Sequence, residues 1–453
     1  MSDALAYIDA HLPRFRRELY DFLHIPSISA VSEHDGHTRA AALWLAERLT
    51  AAGLEAEVAE TPGHPIVVAE WRGAGPDAPT VLIYGHYDVQ PPEPRDLWDS
   101  PPFDPTERDG RVYARGSADD KGQLYMHVKA LEACLADGGT LPINVVLVAE
   151  GEEEVGSPNL VPFVKAHRDR LACDVVLISD TGWFTEELPA LGFSLRGLAY
   201  FELHVHGAKS DLHSGEFGGA VTNPANALSR IIASLHDDQG RVAIPGFYDD
   251  VLEWDAETRE QIAALPHSDD DFARGLGLDA LAGEAGYGTL ERLWIRPTCD
   301  VCGILSGYTG QGAKTVLPNH AMAKVSFRLV PEQTPERVLE LFEAHLEAVK
   351  PAGVTLELRE LHGGRPWKAA IGGAAFEAAA DALEEAFGTR PVPMGGGGSI
   401  PIVVDFEETL DASALLVGFS QPGCNLHAPN EWLGSENFEK GIGALARLYE
   451  RLG

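Results

Sequence analysis

The chain has 453 residues, more than the roughly 250–300 at which a single hydrophobic core stops growing, so we expect two domains. Apolar residues make up 45% of it and charged residues 23%, which is typical of a compact globular protein and excludes a low-complexity one. The formal net charge of −34 argues against nucleic acid and anionic membrane surfaces as partners.

The first residues, MSDALAYIDAHLPRFRRELY, have the pattern of an amphipathic helix and lack the apolar run of a signal peptide. No apolar stretch reaches the roughly 18 residues of a membrane span, so we expect a cytoplasmic protein. Cys299 and Cys302 have the spacing of half a zinc site or of a redox motif. No second such pair exists among the five scattered cysteines, and we interpret them as structural.

Helical and strand patterns alternate over the first 195 residues. Helical patterns cover about Arg39 to Leu54 and the stretches KGQLYMHVKALEACLA and VPFVKAHRDRLA. Strand patterns cover IVVAEW, TVLIYGHYDV, INVVLVAEGEEE and DVVLISD. This alternation predicts the α/β class, with a mainly parallel sheet that carries helices on both faces.

The pattern changes after Leu195. GLAYFELHVHG alternates apolar and polar residues as a half-exposed strand does. It is followed by a helical pattern, the strand pattern AMAKVSFRLVP, a second helical pattern and the strand pattern VTLELRELH. From Pro366 the chain returns to helix, the strand ALLVGF and a closing helix. We therefore predict a first domain in two segments, 1–195 and 366–453, interrupted by an α+β domain at 196–365.

A predicted strand and a glycine-flanked loop contain the first residues that can carry chemistry. TVLIYGHYDV ends with His86 and, two residues on, Asp88, whose side chain shares a face with the imidazole and can orient it. RGSADDKG then places Asp119 and Asp120 just before a helix. Adjacent carboxylates repel each other, so this pair either caps the helix or binds a metal ion.

Further acids and a histidine follow later strands. Glu152, Glu153 and Glu154 come directly after an apolar strand, at the end where sites form in α/β proteins. DVVLISD ends on Asp180, and His427 lies in the loop after ALLVGF. Each signal is weak alone, but imidazoles and carboxylates from several strand ends are what a two-metal hydrolytic site requires.

The motifs GHYDVQPP, YARGSADDKG, AEGEEEVGS, ISD, DLHSG and GGGGSIP, with the late His427, resemble the aminoacylase and glutamate-carboxypeptidase family of metallopeptidases. Within it, the cytosolic nonspecific dipeptidase and carnosinase branch is the most similar. The resemblance runs from about residue 10 to the C-terminus and implies a zinc-peptidase-like catalytic domain with an inserted lid and dimerisation domain. It also implies two divalent ions per chain, with zinc as the first expectation. Manganese and cobalt stay open, because the same ligands suit all three metals.

The resemblance implies a ligand for each position of the two-metal site. Asp119 would bridge the ions, His86 and Asp180 would complete one site, and Glu154 and His427 would complete the other. The three carboxylates and a bridging hydroxide would balance the charge of two divalent ions, which lowers the cost of burying them.

The resemblance also assigns the proton transfer. Glu153 would take a proton from the metal-bridging water and deliver it to the leaving amine. The alternative register, with Glu152 as base and Glu153 as ligand, stays open on sequence alone. A cis peptide bond between Asp119 and Asp120 is implied as well.

In the inserted domain, the resemblance implies that His213 of DLHSG enters the active site of the opposite subunit and stabilises an oxyanion, which predicts a homodimer. Arg328 would grip the substrate carboxylate. Gly398 and Ser399 would bind substrate through backbone amides, with a flexible turn as the alternative interpretation. Mammalian members of the branch carry a further histidine shortly after the Pro-Trp that corresponds to Pro366–Trp367, and its absence here leaves the substrate preference open.

We expect a hydrolase of dipeptides or short peptides with a free C-terminal carboxylate. An N-acyl amino acid deacylase, a desuccinylase or an allantoate-type amidohydrolase would use the same ligands and stays open. A catalytically dead binding protein is a further alternative, although such relatives tend to lose a ligand or the base. The remaining histidines that we considered are assigned to structure or surface: His127, His167, His204, His206, His236 and His362.

Overall fold

The chain, in its computed structural model, is described over residues 2–369, 371–398 and 402–453. It divides into two compact units. The first consists of Met1–Phe193, Ala369–Met394 and Ile402–Gly453, and the second of Ser194–Lys368 and Gly395–Pro401. The assignment of catalysis to one unit and of dimerisation to the other stays a prediction.

The described helices are α1 (Ser2–Leu23), α2 (Asp35–Ala51), α3 (Lys121–Leu135), α4 (Leu160–Ala166), α5 (Arg168–Leu171), α6 (Ser214–Phe217), α7 (Pro224–Ala233), α8 (Ala256–Ala263), α9 (Asp269–Gly275), α10 (Thr289–Trp294), α11 (Pro335–Val349), α12 (Ala374–Phe387), α13 (Ile402–Leu410) and α14 (Ser435–Arg451). Single turns of 3-10 helix lie at Ser32–His34, Arg95–Leu97, Ala136–Gly138 and Glu153–Val155. Across these described segments, no helix has the length and apolar character that crossing a membrane requires.

The described strands are β1 (Glu55–Ala59), β2 (Ile66–Trp71), β3 (Thr80–His86), β4 (Thr106–Arg108), β5 (Arg111–Tyr113), β6 (Asn144–Glu150), β7 (Val175–Ile178), β8 (Ala190–Leu195), β9 (Gly197–His206), β10 (Leu212–His213), β11 (Thr298–Ser306), β12 (Val316–Leu317), β13 (His320–Leu329), β14 (Thr355–Gly364), β15 (Trp367–Lys368), β16 (Val392–Gly396), β17 (Ser413–Leu416) and β18 (Trp432–Gly434). The boundaries between the two units fall within β8, after β15, within β16 and before α13.

The large sheet of the first unit runs in the order β1-β2-β6-β3-β7-β17-β8. Its central strands β6, β3, β7 and β17 are parallel to one another. At the two sides, β2 and β8 run antiparallel to these strands, and β1 pairs antiparallel with β2. The register pairs His86 with Glu150 and Tyr84 with Ile178. The predicted α/β fold with its mainly parallel sheet is confirmed, and the carboxyl ends of the four central strands meet at one edge.

Burial explains why the central strands have continuous apolar sequences. Every residue of β6 is buried, because helices cover the sheet and leave no solvent-facing side to alternate with. Helix α3 is also largely buried, including Lys121, whose Nζ donates to the carbonyl oxygens of Phe22 at 3.1 Å and Ile25 at 2.6 Å. These contacts fix the helix that follows the Asp119–Asp120 segment.

The second unit contains an antiparallel sheet of order β11-β13-β9-β14. Odd-numbered residues of β9, such as Phe201, pack with Phe327 of β13 on apolar side chains of α7 and α11, among them Leu228 and Phe342. Even-numbered residues of β9 point to the opposite face. The alternation predicted for GLAYFELHVHG is confirmed in β9.

Two segments differ from the predicted elements. The helix expected over VPFVKAHRDRLA is broken at His167, where α4 ends and α5 begins. Strand β11 was not predicted, because a register shift between Val301 and Gly303 interrupts its alternation.

Candidate metal centre

Asp119 connects two histidines that lie more than 300 residues apart in the chain. Its Oδ1 lies 3.0 Å from Nε2 of His86, and its Oδ2 lies 2.9 Å from Nε2 of His427. His86 ends strand β3 and is fully buried, whereas the His427 side chain is 56% exposed on its loop. One carboxylate therefore faces one imidazole with each oxygen, as a carboxylate that bridges two ions would.

Glu154 and Asp180 each lie beside one of these imidazoles. Oε2 of Glu154 is 3.3 Å from Nε2 of His427 and also accepts a hydrogen bond from Gln90 at 2.7 Å. Oδ2 of Asp180 is 3.8 Å from Nε2 of His86. The structure thus brings together all five predicted ligands, and we refer to His86, Asp119, Glu154, Asp180 and His427 as the Asp119 cluster.

The Asp119 cluster contains two groups that could each hold a metal ion and that share Asp119. In each group, one ligand atom of every residue lies within 4.8 Å of the others: His86, Asp119 and Asp180 in one, and Asp119, Glu154 and His427 in the other. Imidazole and carboxylate donors suit zinc, manganese and cobalt. The donor set fits a pair of divalent cations.

The pKa values within the Asp119 cluster also indicate a site for cations. Burial and the neighbouring Asp119 raise the pKa of Asp180 well above its ordinary value. Hydrogen bonds to Asp119 and Glu154 raise the pKa of His427 to about 10. Carboxylates packed this closely need compensating positive charge, which protons supply here and divalent cations would supply better.

Glu153 lies in the same acidic turn but outside the two ligand groups. Burial raises its pKa to about 7, and Glu154 and Asp119 add to the effect. Both carboxylate oxygens of Glu152 are engaged elsewhere, with the backbone N–H of His64 at 3.2 Å and the side chain of Asn159 at 2.7 Å. This geometry favours the register with Glu154 as ligand over the alternative.

Asp88 contacts the His86 imidazole through its backbone carbonyl as well as through the carboxylate that the strand pattern indicated. Nδ1 of His86 lies 3.1 Å from the backbone carbonyl of Asp88 and 3.4 Å from its carboxylate. A carbonyl can only accept, so Nδ1 carries the proton and Nε2 is left to face the cluster. The Asp88 carboxylate also accepts the backbone N–H groups of Glu153 at 3.3 Å and Glu154 at 3.1 Å, and so holds the acidic turn.

Glu431 is a supporting residue that the sequence patterns did not single out. It is fully buried and accepts the backbone N–H groups of Ala118 at 2.9 Å and Asp119 at 3.1 Å through one oxygen. Its other oxygen accepts from Gly116 at 3.0 Å and from the Arg115 guanidinium at 2.7 Å. Its position four residues after His427 was the available signal. The peptide bond between Asp119 and Asp120 is cis, as the resemblance implied.

A cavity of about 290 Å³ opens beside the Asp119 cluster within the first unit. Asp180 lines one part of it, and Trp183, Asn425 and Leu426 line others. A partly apolar space next to the candidate metal ligands is a suitable place for a small substrate group.

The remaining predicted site residues belong to the second unit. His213 ends β10 and is exposed, and its Nδ1 accepts the backbone N–H of Gly215 at 3.0 Å. Arg328 is a half-buried residue of β13. Gly398 is exposed, with open space around its Cα. Ser399 lies outside the described residues, and the roles of all four stay predictions.

Arg196 is a second cation near Arg328 that the sequence patterns did not indicate. Its side chain is buried and donates to the carbonyl oxygens of Gly397 at 3.2 Å and Arg292 at 3.4 Å. Burial lowers the pKa of Arg196 to about 10, and the positive charge of Arg328 makes a smaller contribution in the same direction. The two guanidinium groups create a local positive potential within a strongly acidic chain, and that of Arg196 lies against the glycine-rich loop at Gly397.

The parallel sheet with paired metal-ligand groups at its carboxyl edge defines a hydrolase of the two-metal class. The sequence matches the profile of peptidase family M20/M25/M40 over residues 82–451, and the chain belongs to this family. The metallopeptidase resemblance stated from the motifs is thereby confirmed.

Individual relatives agree with this assignment. The chain is 35% identical over 389 residues to the Cys-Gly metallodipeptidase dug1 of Schizosaccharomyces pombe, which covers 84% of this chain and 82% of that protein. The M20 family metallo-carboxypeptidase Sso-CP2 from Sulfolobus solfataricus has a TM-score of 0.86 and 34% identity, covering 97% of this chain and 99% of that one. Human carnosine dipeptidase 1 has a TM-score of 0.82 and 29% identity, covering 100% and 98%.

Proposed function

We propose that this protein is a dipeptidase that hydrolyses dipeptides with a free C-terminal carboxylate. The observation that carries the proposal is Asp119, which faces His86 with one oxygen and His427 with the other. Similarity to the dug1 dipeptidase and to human carnosine dipeptidase 1 supports the choice of substrate class.

The Asp119 cluster would hold two divalent ions, with zinc as our first choice. Ions bound there would polarise the substrate carbonyl and lower the pKa of water from 15.7 toward about 7. His86, whose Nδ1–H is held by the Asp88 carbonyl, presents Nε2 in the orientation of a ligand. Asp88 and Glu431 position the acidic turn and the Asp119 loop through their hydrogen bonds to backbone N–H groups.

Glu153 would carry the proton of the reaction. Its carboxylate takes a proton from water and delivers it to the amine that leaves when the peptide bond breaks. Its pKa of about 7 matches a group that must accept and release a proton near neutral pH. Divalent cations bound nearby would lower this raised pKa, so the group would be ionised at the start of the reaction.

Residues of the second unit would bind the substrate. Arg328 binds the C-terminal carboxylate in a bidentate manner, and Arg196 strengthens the positive potential around it. Gly398 and Ser399 offer backbone amides to the substrate. His213 of the partner subunit donates a hydrogen bond to the developing oxyanion, so the active enzyme is a homodimer. We place this enzyme in the cytoplasm.

The proposal is tested with the purified full-length protein. Metal analysis should find two divalent ions per chain, and glycine-containing dipeptides should be hydrolysed. Glu153→Gln should retain both ions and lose hydrolysis, with Glu152→Gln as the matched control in the same turn. A Glu153→Gln protein that hydrolyses dipeptides at the normal rate would contradict the proposed mechanism.

The substrate class is tested separately, because deacylases share the ligands and Sso-CP2 is a carboxypeptidase. A panel should compare dipeptides, N-blocked tripeptides, N-acetyl amino acids and N-succinyl amino acids. Preference for free dipeptides supports the proposal. Preference for an N-acylated substrate would keep the metal centre and replace the substrate assignment.

A further inference from the structure

Three histidines lie together on the sheet of the second unit, on the face opposite the one that packs on α7 and α11. His204 and His206 belong to β9, and His320 begins β13. The antiparallel register pairs His320 with His206 and Met322 with His204. Because side chains alternate along a strand, the three imidazoles project from the same face.

The imidazoles are close enough to share one ion. One ring nitrogen of each histidine lies within 4.8 Å of the other two. Nδ1 of His204 is 2.8 Å from Nε2 of His320, and the centroids of the His206 and His320 rings are 4.9 Å apart. We refer to these three residues as the histidine cluster.

A carboxylate orients the most buried member of the histidine cluster. Nε2 of His204 lies 2.7 Å from Oε1 of Glu202, which has Lys324 and Arg359 within 4.0 Å. An ionised carboxylate can only accept, so Nε2 of His204 carries the proton and Nδ1 presents its lone pair toward His320. A second carboxylate, Glu357, lies 3.4 Å from Nε2 of His206. Histidine ligands of metal ions are held in this way.

The alternative interpretation is that the three rings are stacked histidines on the protein surface that share one proton. It agrees with the assignment of His204 and His206 to structure or surface. Stacking alone explains neither why three imidazole nitrogens converge nor why a carboxylate fixes the tautomer that directs a lone pair inward. A metal ion accounts for both features. Three imidazoles provide three of the four tetrahedral positions, and the exposure of His206 leaves the fourth open to water.

We propose that His204, His206 and His320 bind a transition-metal ion at a site separate from the Asp119 cluster. Of the metal ions that imidazole ligands suit, we choose Zn²⁺. Bound there, the ion would link β9 to β13 and stabilise the second unit. Glu202 is a positioning residue of this site, because it acts on the ion through His204. The proposal does not depend on which peptide or amide the enzyme cleaves.

The test uses the full-length protein with its two divalent ions already loaded. After equilibration with Zn²⁺, the unmodified protein should hold one more ion per chain than the double variant His206→Asn/His320→Asn. The rate of dipeptide hydrolysis should be the same in both. His236→Asn, an exposed histidine of the same unit, is the matched control and should retain the additional ion. Equal zinc content in the unmodified and double-variant proteins would overturn the proposal.

Two further measurements keep the proposal testable if the double variant folds poorly. Glu202→Gln should lower the affinity for the additional Zn²⁺ about 10–100-fold, as loss of an outer-shell carboxylate does, while Glu340→Gln on α11 should not change it. In crystals of the unmodified protein grown with Zn²⁺, anomalous diffraction at the zinc edge should show a peak between the three imidazoles. Absence of that peak would also overturn the proposal.

Discussion

The Asp119 cluster of the first unit and the histidine cluster of the second offer similar metal-binding side chains in different settings. The first draws its ligands from strand ends and the loops that follow, and Asp88 and Glu431 hold those loops through backbone N–H groups. The second draws its ligands from the faces of two paired strands and has Glu202 as its main support. A site rich in carboxylates suits hydrolytic chemistry, whereas a site of neutral imidazoles beside water suits structural binding or regulation.

The largest expected effect separates catalysis, assigned to Glu153, from metal binding by the adjacent Asp119 cluster. Glu153→Gln should reduce kcat for dipeptides by roughly 10²–10⁴-fold, because general acid–base catalysis is lost. Metal content should stay unchanged, since the ligand groups do not include Glu153. Steady-state kinetics together with metal analysis checks both statements. A loss of kcat that follows a loss of metal would assign Glu153 to the ligands instead.

The next effect concerns the support of the Asp119 loop. Glu431→Ala should destabilise the protein by about 3–5 kcal/mol, because it leaves the buried Arg115 guanidinium without its partner. Denaturant unfolding measures the change, and metal affinity should fall in the same variant. Glu436→Ala, which removes an exposed ion pair with Lys440, is the control and should cost at most about 1 kcal/mol. Equal costs in the two variants would contradict the role of Glu431.

A smaller effect is expected for substrate binding in the second unit. Arg328→Met should raise KM for dipeptides roughly 10–100-fold, the loss expected for a charge-assisted hydrogen bond to a carboxylate. The corresponding dipeptide amides, which lack the carboxylate, should show little difference between the two proteins. The ratio of kcat/KM for acid and amide substrates measures this, and an equal loss for both would exclude the assigned contact.

Metal removal should make the stability of the protein depend on pH. A group whose pKa is raised on folding stabilises the fold below its unfolded value, and that stability is lost as pH rises through the folded value. Glu153, with a folded pKa of about 7 against 4.5, and His427, with about 10 against 6.5, act in the same direction. Between about pH 4.5 and pH 10, these two groups should therefore lower the Tm of chelator-treated protein as the pH rises. Metal-loaded protein should lose much less, and identical pH profiles would count against a metal site at the Asp119 cluster.

The smallest expected effect is the absence of any change in kcat when the histidine cluster is removed. His206→Asn/His320→Asn should hydrolyse dipeptides at the normal rate and lose only the additional Zn²⁺. A fall in kcat with the first-unit ions retained would show that the two clusters are coupled.

Positions at strand ends were the most predictable part of the molecule. His86, Glu154 and Asp180 follow apolar runs that are recognisable in the sequence, and parallel strands bring such ends to one edge of a sheet. The broken helix at His167 and the bulged strand β11 were missed, because one-residue irregularities do not alter the average pattern of a segment.

The amino-acid sequence by itself determined the α/β class, the family and the candidate ligands of the two-metal site, since these depend on local patterns and on motifs in a set order. Only the tertiary structure decided which atoms meet: the Asp88 carbonyl on His86, Glu431 beneath the Asp119 loop, and Arg196 beside Arg328. It also brought His320 to His204 and His206, which lie more than 110 residues earlier in the chain. Cross-strand register and burial set these contacts, and both depend on the whole packed chain.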